Sequence, residues 1–303
     1  MILILGDLYI NEELKQEFEN LDEKVVYIRE PYEHIENIIA DSDYICACNF
    51  NLDKYINYLN PNQCIIMAET GVVNINLDKA KEMNLNVLNL ENYSCDAVIQ
   101  YIIYCIINKL RPWNLYFKGQ NNKKDIITRE SIGLETLKIG ILGYGTIGRA
   151  LHNILDSFNC EVLITSRRKS IIQNDKYVTV EALFKEANVV VITCDLNNTS
   201  REMIDYKLLS YMKKNSSIIS ISQNKVFKIN DLYKFLRNRL DVEAYLDFDF
   251  NKDIENMNKL KNVHISPHTA FFTQQTIINR TKACINKIKT NNDNKARRLR
   301  FVE

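Results

Sequence analysis

Short apolar runs alternate with amphipathic stretches along the chain. From the first residue the order is MILIL, NEELKQEFENL, KVVYI, EHIENIIA, DYICAC, LDKYINYL, QCIIMA, LDKAKEMN and NVLNL. The short apolar, β-branched runs bounded by polar residues read as buried strands, and the longer segments between them carry apolar residues at helical spacing. This rhythm predicts a parallel sheet with crossover helices over residues 1 to about 90. An apolar-rich helix follows, from roughly Ser94 to Leu110, stopped by Pro112, and the polar stretch KGQNNKKDIITRE marks a change of domain. The alternation then resumes with strands at LKIGIL, EVLIT, NVVVIT, SSIISIS, VEAYLDF and NVHIS and a helix from Thr146. A last helix, from about Thr273 to Lys289, follows the final strand and is expected to cross back onto the first domain.

Composition supports this division. A chain of 303 residues with 46% hydrophobic content is near the size at which one core splits into two. The fold class expected is α/β: a Rossmann doubly wound parallel sheet over 94–273, and a smaller domain from 1–93 and 274–303 that resembles flavodoxin. With 39 Lys and Arg against 38 Asp and Glu, no global field recommends nucleic acid or a membrane as partner, and a small-molecule substrate is expected instead. No apolar run reaches the ~20 residues of a membrane span, and MILILGDLY lacks a basic n-region, so a cytoplasmic protein is expected. The basic tail NNDNKARRLR reads as a solvated end. The eight cysteines lie mostly in apolar runs without CxxC or a histidine at ligand spacing, which reads as buried free thiols and no zinc. Strand alternation puts Cys46 and Cys48 on one face.

Four of the chain's eight glycines fall between Gly140 and Gly148. LKIGILGYGTIGRALHNILDSFNCEVLIT is a strand, the pattern Gly143-x-Gly145-x-x-Gly148, an amphipathic helix and a second strand. Gly143 permits the tight turn, Gly145 lets backbone amides approach a pyrophosphate, and Gly148 lets helix and strand pack closely. Thr146 and Ile147 open the helix, whose amino terminus carries partial positive charge. The pattern therefore predicts a dinucleotide. At the end of the second strand, where an acid would hold the ribose hydroxyls of NAD, the chain has Ser166-Arg167-Arg168. A hydroxyl and two guanidinium groups suit a 2′-phosphate, so NADP is expected, with NAD possible.

Taken in order, these pieces resemble the D-isomer-specific 2-hydroxyacid dehydrogenase family, which includes glycerate, hydroxypyruvate and phosphoglycerate dehydrogenases. TGVVNINLDKAKEMNLNVLNLENYSCDAV is similar to the family's substrate loop, NVVVITCDLNNTSREMIDYKLLSYMKKNSSIISISQ and NVHISPHTAFFT to its later signatures. The resemblance implies that the backbone amides of Thr70, Gly71 and Val72 meet the substrate carboxylate and that His268 moves the proton at the C2 oxygen. It also implies that Asp247 holds the nicotinamide carboxamide and that Thr193, Cys194 and Ile221 line the cofactor. The family's His-x-Pro reads Thr193-Cys194-Asp195 here.

Two catalytic positions depart from the family pattern. Gln223 falls where an Arg would pair with the substrate carboxylate, and a neutral amide can donate to a carbonyl but offers no charge. An ungapped count from Asp247 puts Lys252 where a Glu would orient the histidine. A carboxylate there readies the imidazole as an acid, whereas an ammonium opposes its protonation. Asp249, Asp253 or Glu255 can take the Glu position if the loop shifts, and Lys225 or Lys252 can supply the missing positive charge.

Two functions follow. One is an NAD(P)-dependent oxidoreductase acting on a small 2-oxo or 2-hydroxy acid, or a related carbonyl compound, through a non-standard site. The other is a catalytically impaired relative that binds a dinucleotide as sensor or scaffold. The resemblance implies a homodimer through the second domain, with the apolar stretch Val98 to Ile107 as a candidate interface.

Overall fold

A computed structural model describes residues 1–21, 23–31, 33–69, 74–110, 133–167 and 176–300. The chain divides into two compact units, one formed by Met1–Ser94 and Phe272–Glu303, the other by Cys95–Phe271.

The first unit is built on five parallel strands, β1 (Ile2–Gly6), β2 (Val25–Ile28), β3 (Tyr44–Cys48), β4 (Cys64–Met67) and β5 (Asn86–Asn89), in the order β2-β1-β3-β4-β5. This is the flavodoxin-like order. Helices α1 (Glu12–Glu19), α2 (Ile35–Ala40) and α3 (Leu77–Glu82) form its crossovers. LDKYINYL, with its helical spacing, winds into a 3-10 segment at Leu52–Tyr58. Asn11 and Asn76 cap α1 and α3, accepting from Leu14 N at 2.9 Å and Lys79 N at 3.0 Å. Alternate residues of β1 serve opposite faces. Ile2 and Ile4 pack with Phe18, Cys46, Cys48 and Cys284, while Leu3 and Leu5 pack with Ile35, Ile39 and Ile45. Cys284, Ile285 and Ile288 come from the last helix, Gln274–Arg300, so the final segment of the chain completes the core of the first unit.

The second unit opens with α4 (Cys95–Leu110) and carries six parallel strands. These are β6 (Lys138–Leu142), β7 (Glu161–Thr165), β8 (Val189–Ile192), β9 (Ser217–Ser220), β10 (Glu243–Asp247) and β11 (Val263–Ser266), in the order β11-β10-β9-β8-β6-β7. Helices α5 (Thr146–Ser157), α6 (Val180–Glu186), α7 (Tyr206–Leu209), α8 (Ile229–Asn238) and α9 (Lys252–Met257) follow successive strands, and the last helix is α10. One face of the sheet packs Ile139, Ile141 and Val191 against Ile102, Ile106, Leu151 and Leu155 of α4 and α5. The other packs Val190, Ile192 and Ile218 against Leu183, Phe184, Leu209 and Phe235. The inner strands β6, β8, β9 and β10 are covered on both sides, which is why they read as continuous apolar runs, while the edge strand β11 leaves His264 exposed. The order reverses between β6 and β8, and in open parallel sheets ligands bind outside the carboxyl ends of the strands at such a reversal.

Candidate functional site

Because all strands of the second sheet run parallel, their carboxyl ends share one edge. Gly143, Ser166, Thr193, Ile221, Asp247 and His268 all lie at or just beyond those ends. At the reversal, Gly143 adopts φ 105°, and a Cβ there would meet Cys194 N at 2.7 Å. Thr193 Oγ1 donates to Gly143 O at 2.8 Å, joining the ends of β6 and β8. A Cβ on Gly148 would sit 2.2 Å from Gly143 O and 3.3 Å from Ile141 Cγ2, so α5 lies directly against the turn. Around Gly145 the space is open to 4 Å. Gly145 is the N-cap of α5 and offers no side-chain acceptor to the helix's first amides. Gly148 is thus consumed by packing, Gly143 by the turn, and Gly145 leaves room for a group that accepts from exposed amides. A dinucleotide pyrophosphate fits that room.

Beyond β7, Ser166 is half-buried and Arg167 exposed. Arg167 Nη1 lies 3.4 Å from both Asn197 Oδ1 and Thr199 Oγ1 of the loop after β8, both neutral partners. Arg168 falls outside the described residues. Cys194 is partly buried, and burial raises its thiol pKa. Its carbonyl accepts from Ser222 Oγ at 2.7 Å, tying the β8 loop to the end of β9. Ile147 and Ile221 are half-buried against the core, and Thr146 is exposed at the start of α5.

Asp247 organises the opposite end of the edge. Its carboxylate is buried and accepts from Ser266 Oγ at 2.5 Å, Thr269 N at 2.7 Å and Ala270 N at 3.0 Å. Ser266 Oγ lies 2.8 Å from Tyr101 Oη. Since the serine hydrogen goes to Asp247, the tyrosine is the donor. Between these anchors His268 takes a left-handed φ of 51°, with its amide donating to Ser266 O at 2.9 Å. Such a φ is uncommon outside glycine, and here the bonds around Asp247 hold it. The ring stands at the surface, edge-on to Phe271, with Nδ1 3.1 Å from Asp249 Oδ1.

The partner of His268 is therefore Asp249, one of the three acids set against the ungapped count. Lys252 begins α9 and is exposed. Gln223 is exposed just beyond β9, where Val226 N donates to its carbonyl at 3.0 Å, and Lys225 nearby is also exposed. Thr70, Gly71 and Val72 lie outside the described residues. Counting along the sequence missed Tyr101 and Ser266 as supports of the histidine loop, because their meeting is tertiary. It also missed His152, a buried histidine of α5 whose ring meets Tyr144 of the glycine turn; a polar residue within the apolar face of that helix was its only signal. Among the described residues no group of three or more His, Cys, Asp or Glu is placed to hold a metal.

The profile described as D-isomer specific 2-hydroxyacid dehydrogenase, NAD binding domain, matches residues 104–270, more than half of the chain. The chain belongs to this family. It is accordingly a nicotinamide-dependent oxidoreductase of 2-hydroxy or 2-oxo acids. It is 27% identical over 246 residues to a D-lactate dehydrogenase of Lactiplantibacillus plantarum, covering 74% of each chain. To a D-specific alpha-keto acid dehydrogenase of Enterococcus faecium it is 29% identical over 225 residues, 68% of this chain and 69% of the relative. Among solved structures, an acyclic imino acid reductase in complex with NADPH and D-Arg shares the fold at a TM-score of 0.85 and 17% identity, over 97% of this chain and 98% of that one. D-lactate dehydrogenase from Aquifex aeolicus, complexed with NAD and lactic acid, matches at 0.79 and 18% identity, over 99% and 98%.

Proposed function

We propose that the protein interconverts a small 2-oxo acid and its 2-hydroxy acid with NADP(H) in preference to NAD(H), with His268 moving the proton and Asp249 orienting it. The observation that carries this reading is the His268–Asp249 pair, 3.1 Å apart at the sheet edge that also bears the glycine turn. An ionised Asp249 can only accept, so the ring proton resides on Nδ1 and Nε2 is left for the C2 oxygen. The bound nicotinamide supplies or takes the hydride. Gln223 donates to the carbonyl, and Lys225 or Lys252 balances the substrate carboxylate, the group for which the family resemblance offers the amides of Thr70, Gly71 and Val72. Ser166 and Arg167 support the NADP preference, since the sequence puts no acid directly after β7 and, among the described residues, Arg167 meets only the neutral Asn197 and Thr199. Asp247 faces the nicotinamide side of the edge.

The neutral Gln223 favours a second reading, a relative that binds the dinucleotide without turnover. The assay that separates the two is oxidation of NADPH and NADH with glyoxylate, pyruvate and hydroxypyruvate, each with and without ammonium, since the NADPH-binding imino acid reductase shares this fold. Turnover on at least one substrate, lost in His268→Gln, is the expected result. Cofactor binding with no turnover on any of them establishes the second reading. The protein is further expected to be a cytoplasmic homodimer joined through α4, where Tyr104 is 60% and Ile107 36% exposed. Tyr104→Glu should then shift sedimentation to the monomer.

A further inference from the structure

We propose that His152 is a positioning residue for the dinucleotide turn, tethering Tyr144 between the first two glycines only while its ring is neutral, so that cofactor and proton binding oppose each other. Tyr144 Oη lies 2.6 Å from His152 Nδ1, with the two rings 5.7 Å apart. On the other side of the ring, Nε2 lies 2.9 Å from Lys176 Nζ and 3.4 Å from Asp156 Oδ2. Lys176 also donates to Asp156 Oδ1 at 3.1 Å. Its backbone is fixed beside β7, because Ile164 N donates to Lys176 O at 2.8 Å. From the far side Arg149 Nη1 donates to Tyr144 O at 3.3 Å. Three separate pieces of chain, the turn, α5 and the segment returning to β7, are thus joined at one imidazole.

Counting protons fixes its state. An ammonium only donates, so Nε2 accepts from Lys176 and the single proton of the neutral ring lies on Nδ1, donated to Tyr144 Oη. Any proton added at Nε2 would point at the ammonium of Lys176. The facing charges are Lys176, which opposes protonation, Asp156, which favours it, and Arg149 on the far side of Tyr144. Burial, followed by Lys176, lowers the pKa of His152 against the pull of Asp156. At neutral pH the network is intact. On acidification the ring gains its second proton, Lys176 is expelled, and the link between the turn and β7 is lost. Because coupling is reciprocal, a ligand that needs the tethered turn must in turn suppress protonation of the ring.

The probe is NAD⁺, which lacks the 2′-phosphate whose own ionisation falls near pH 6. Calorimetric titration of the full chain should show Kd rising at least about fivefold from pH 7.5 to 5.5, the low end of ordinary coupling between sites. His152→Gln keeps one donor and one acceptor but cannot titrate. It should bind as the wild type does at pH 7.5 and show a flat profile, whereas His152→Phe should bind weakly throughout. With only four histidines in the chain, ring NMR follows His152 directly through the resonance missing from His152→Gln. Saturating NAD⁺ should move its midpoint further down. Equal pH profiles for wild type and His152→Gln, or a midpoint that NAD⁺ leaves in place, would overturn the proposal, and both tests stand even if His152→Phe does not fold.

Discussion

Gly145 and Gly148 stand three residues apart in one turn, yet their replacement by Ala should fail in opposite ways. In Gly148→Ala the new methyl would lie 2.2 Å from Gly143 O and 3.3 Å from Ile141 Cγ2. Both belong to the strand and turn beneath α5, so neither yields as the tip of a flexible side chain would, and the helix must back away by about 1 Å to restore ordinary packing. Overpacking of this kind costs about 1–3 kcal/mol, while Ala in place of Gly in a helix returns at most about 1 kcal/mol. Because the 2.2 Å approach is to a backbone oxygen, the cost falls in the upper part of that range, and a net loss of about 1–2 kcal/mol is expected. In Gly145→Ala the methyl meets nothing within 4 Å, and its φ of −80° is open to any residue. An Ala N-cap costs about 1 kcal/mol or less. The methyl, however, occupies the space through which a pyrophosphate reaches the amides of α5. Losing two charge-assisted hydrogen bonds at about 1.5–3 kcal/mol each weakens dinucleotide binding by about a hundredfold or more. Urea unfolding without cofactor and calorimetric titration with NADPH measure the two effects separately. Wild-type affinity in Gly145→Ala would show that the pyrophosphate does not rest on this turn, and wild-type stability in Gly148→Ala would refute the packing argument.

Three further outcomes are expected. NADPH should bind at least about tenfold more tightly than NADH, a difference of about 1.4 kcal/mol, and Arg167→Ala should narrow the ratio; equal affinities in the unmodified protein would sink the NADP assignment. If Gln223 merely removes a guanidinium, Gln223→Arg should raise turnover of glyoxylate or hydroxypyruvate by about 10²–10³. If Lys225 or Lys252 already holds the carboxylate, the added Arg gains little and Lys→Ala at that position abolishes activity; a wild type insensitive to all three changes would refute this account of Gln223. At acid pH, Arg239 grips Asp241 through two bonds of 2.8 Å and holds its carboxyl well below the usual range. The stability this lends is present above the unfolded carboxylate pKa of about 4 and is lost as pH falls through the folded value. The pair is partly exposed, so the effect should stay below about 1 kcal/mol, read as a shallower acid fall of melting temperature in Asp241→Asn.

Most of the fold was legible because most strands of both sheets are buried on two sides and so print short apolar runs, with exposed positions left mainly in the edge strands β2, β5 and β11. All eleven strands coincide with runs the pattern marks, β1 alone reaching one residue past its run to Gly6, and Cys46 and Cys48 share one face of the first sheet as alternation requires. The helices were less sharply drawn. LDKYINYL has helical spacing, but Pro61 and the turn before β4 follow so closely that only a 3-10 segment forms. The last helix runs past Lys289 to Arg300, since nothing in TNNDNKARRLR forbids helix and α10 is already nucleated on the first unit by Cys284, Ile285 and Ile288.

At the site, legibility followed sequence distance. The glycine turn is a local device, and its three glycines carry their separate reasons within six positions. The histidine's acid is not local: Asp249 and His268 are 19 residues apart, and their meeting depends on how the loop after β11 is bent. That bend is set by Asp247, which gathers Ser266, Thr269 and Ala270 and turns the chain left-handed at His268. Counting forward from Asp247 treats the segment toward α9 as rigid, and so it lands on Lys252, a residue that faces solvent at the start of a helix. The same bonds bear on the role that resemblance gives Asp247. An ionised carboxylate has about four acceptor positions, and the loop occupies two on Oδ1 and one on Oδ2. One remains, enough to accept from a carboxamide N–H. Asp247 can therefore template the His268 loop and still present an acceptor at the sheet edge, and its burial keeps that acceptor from being spent on water.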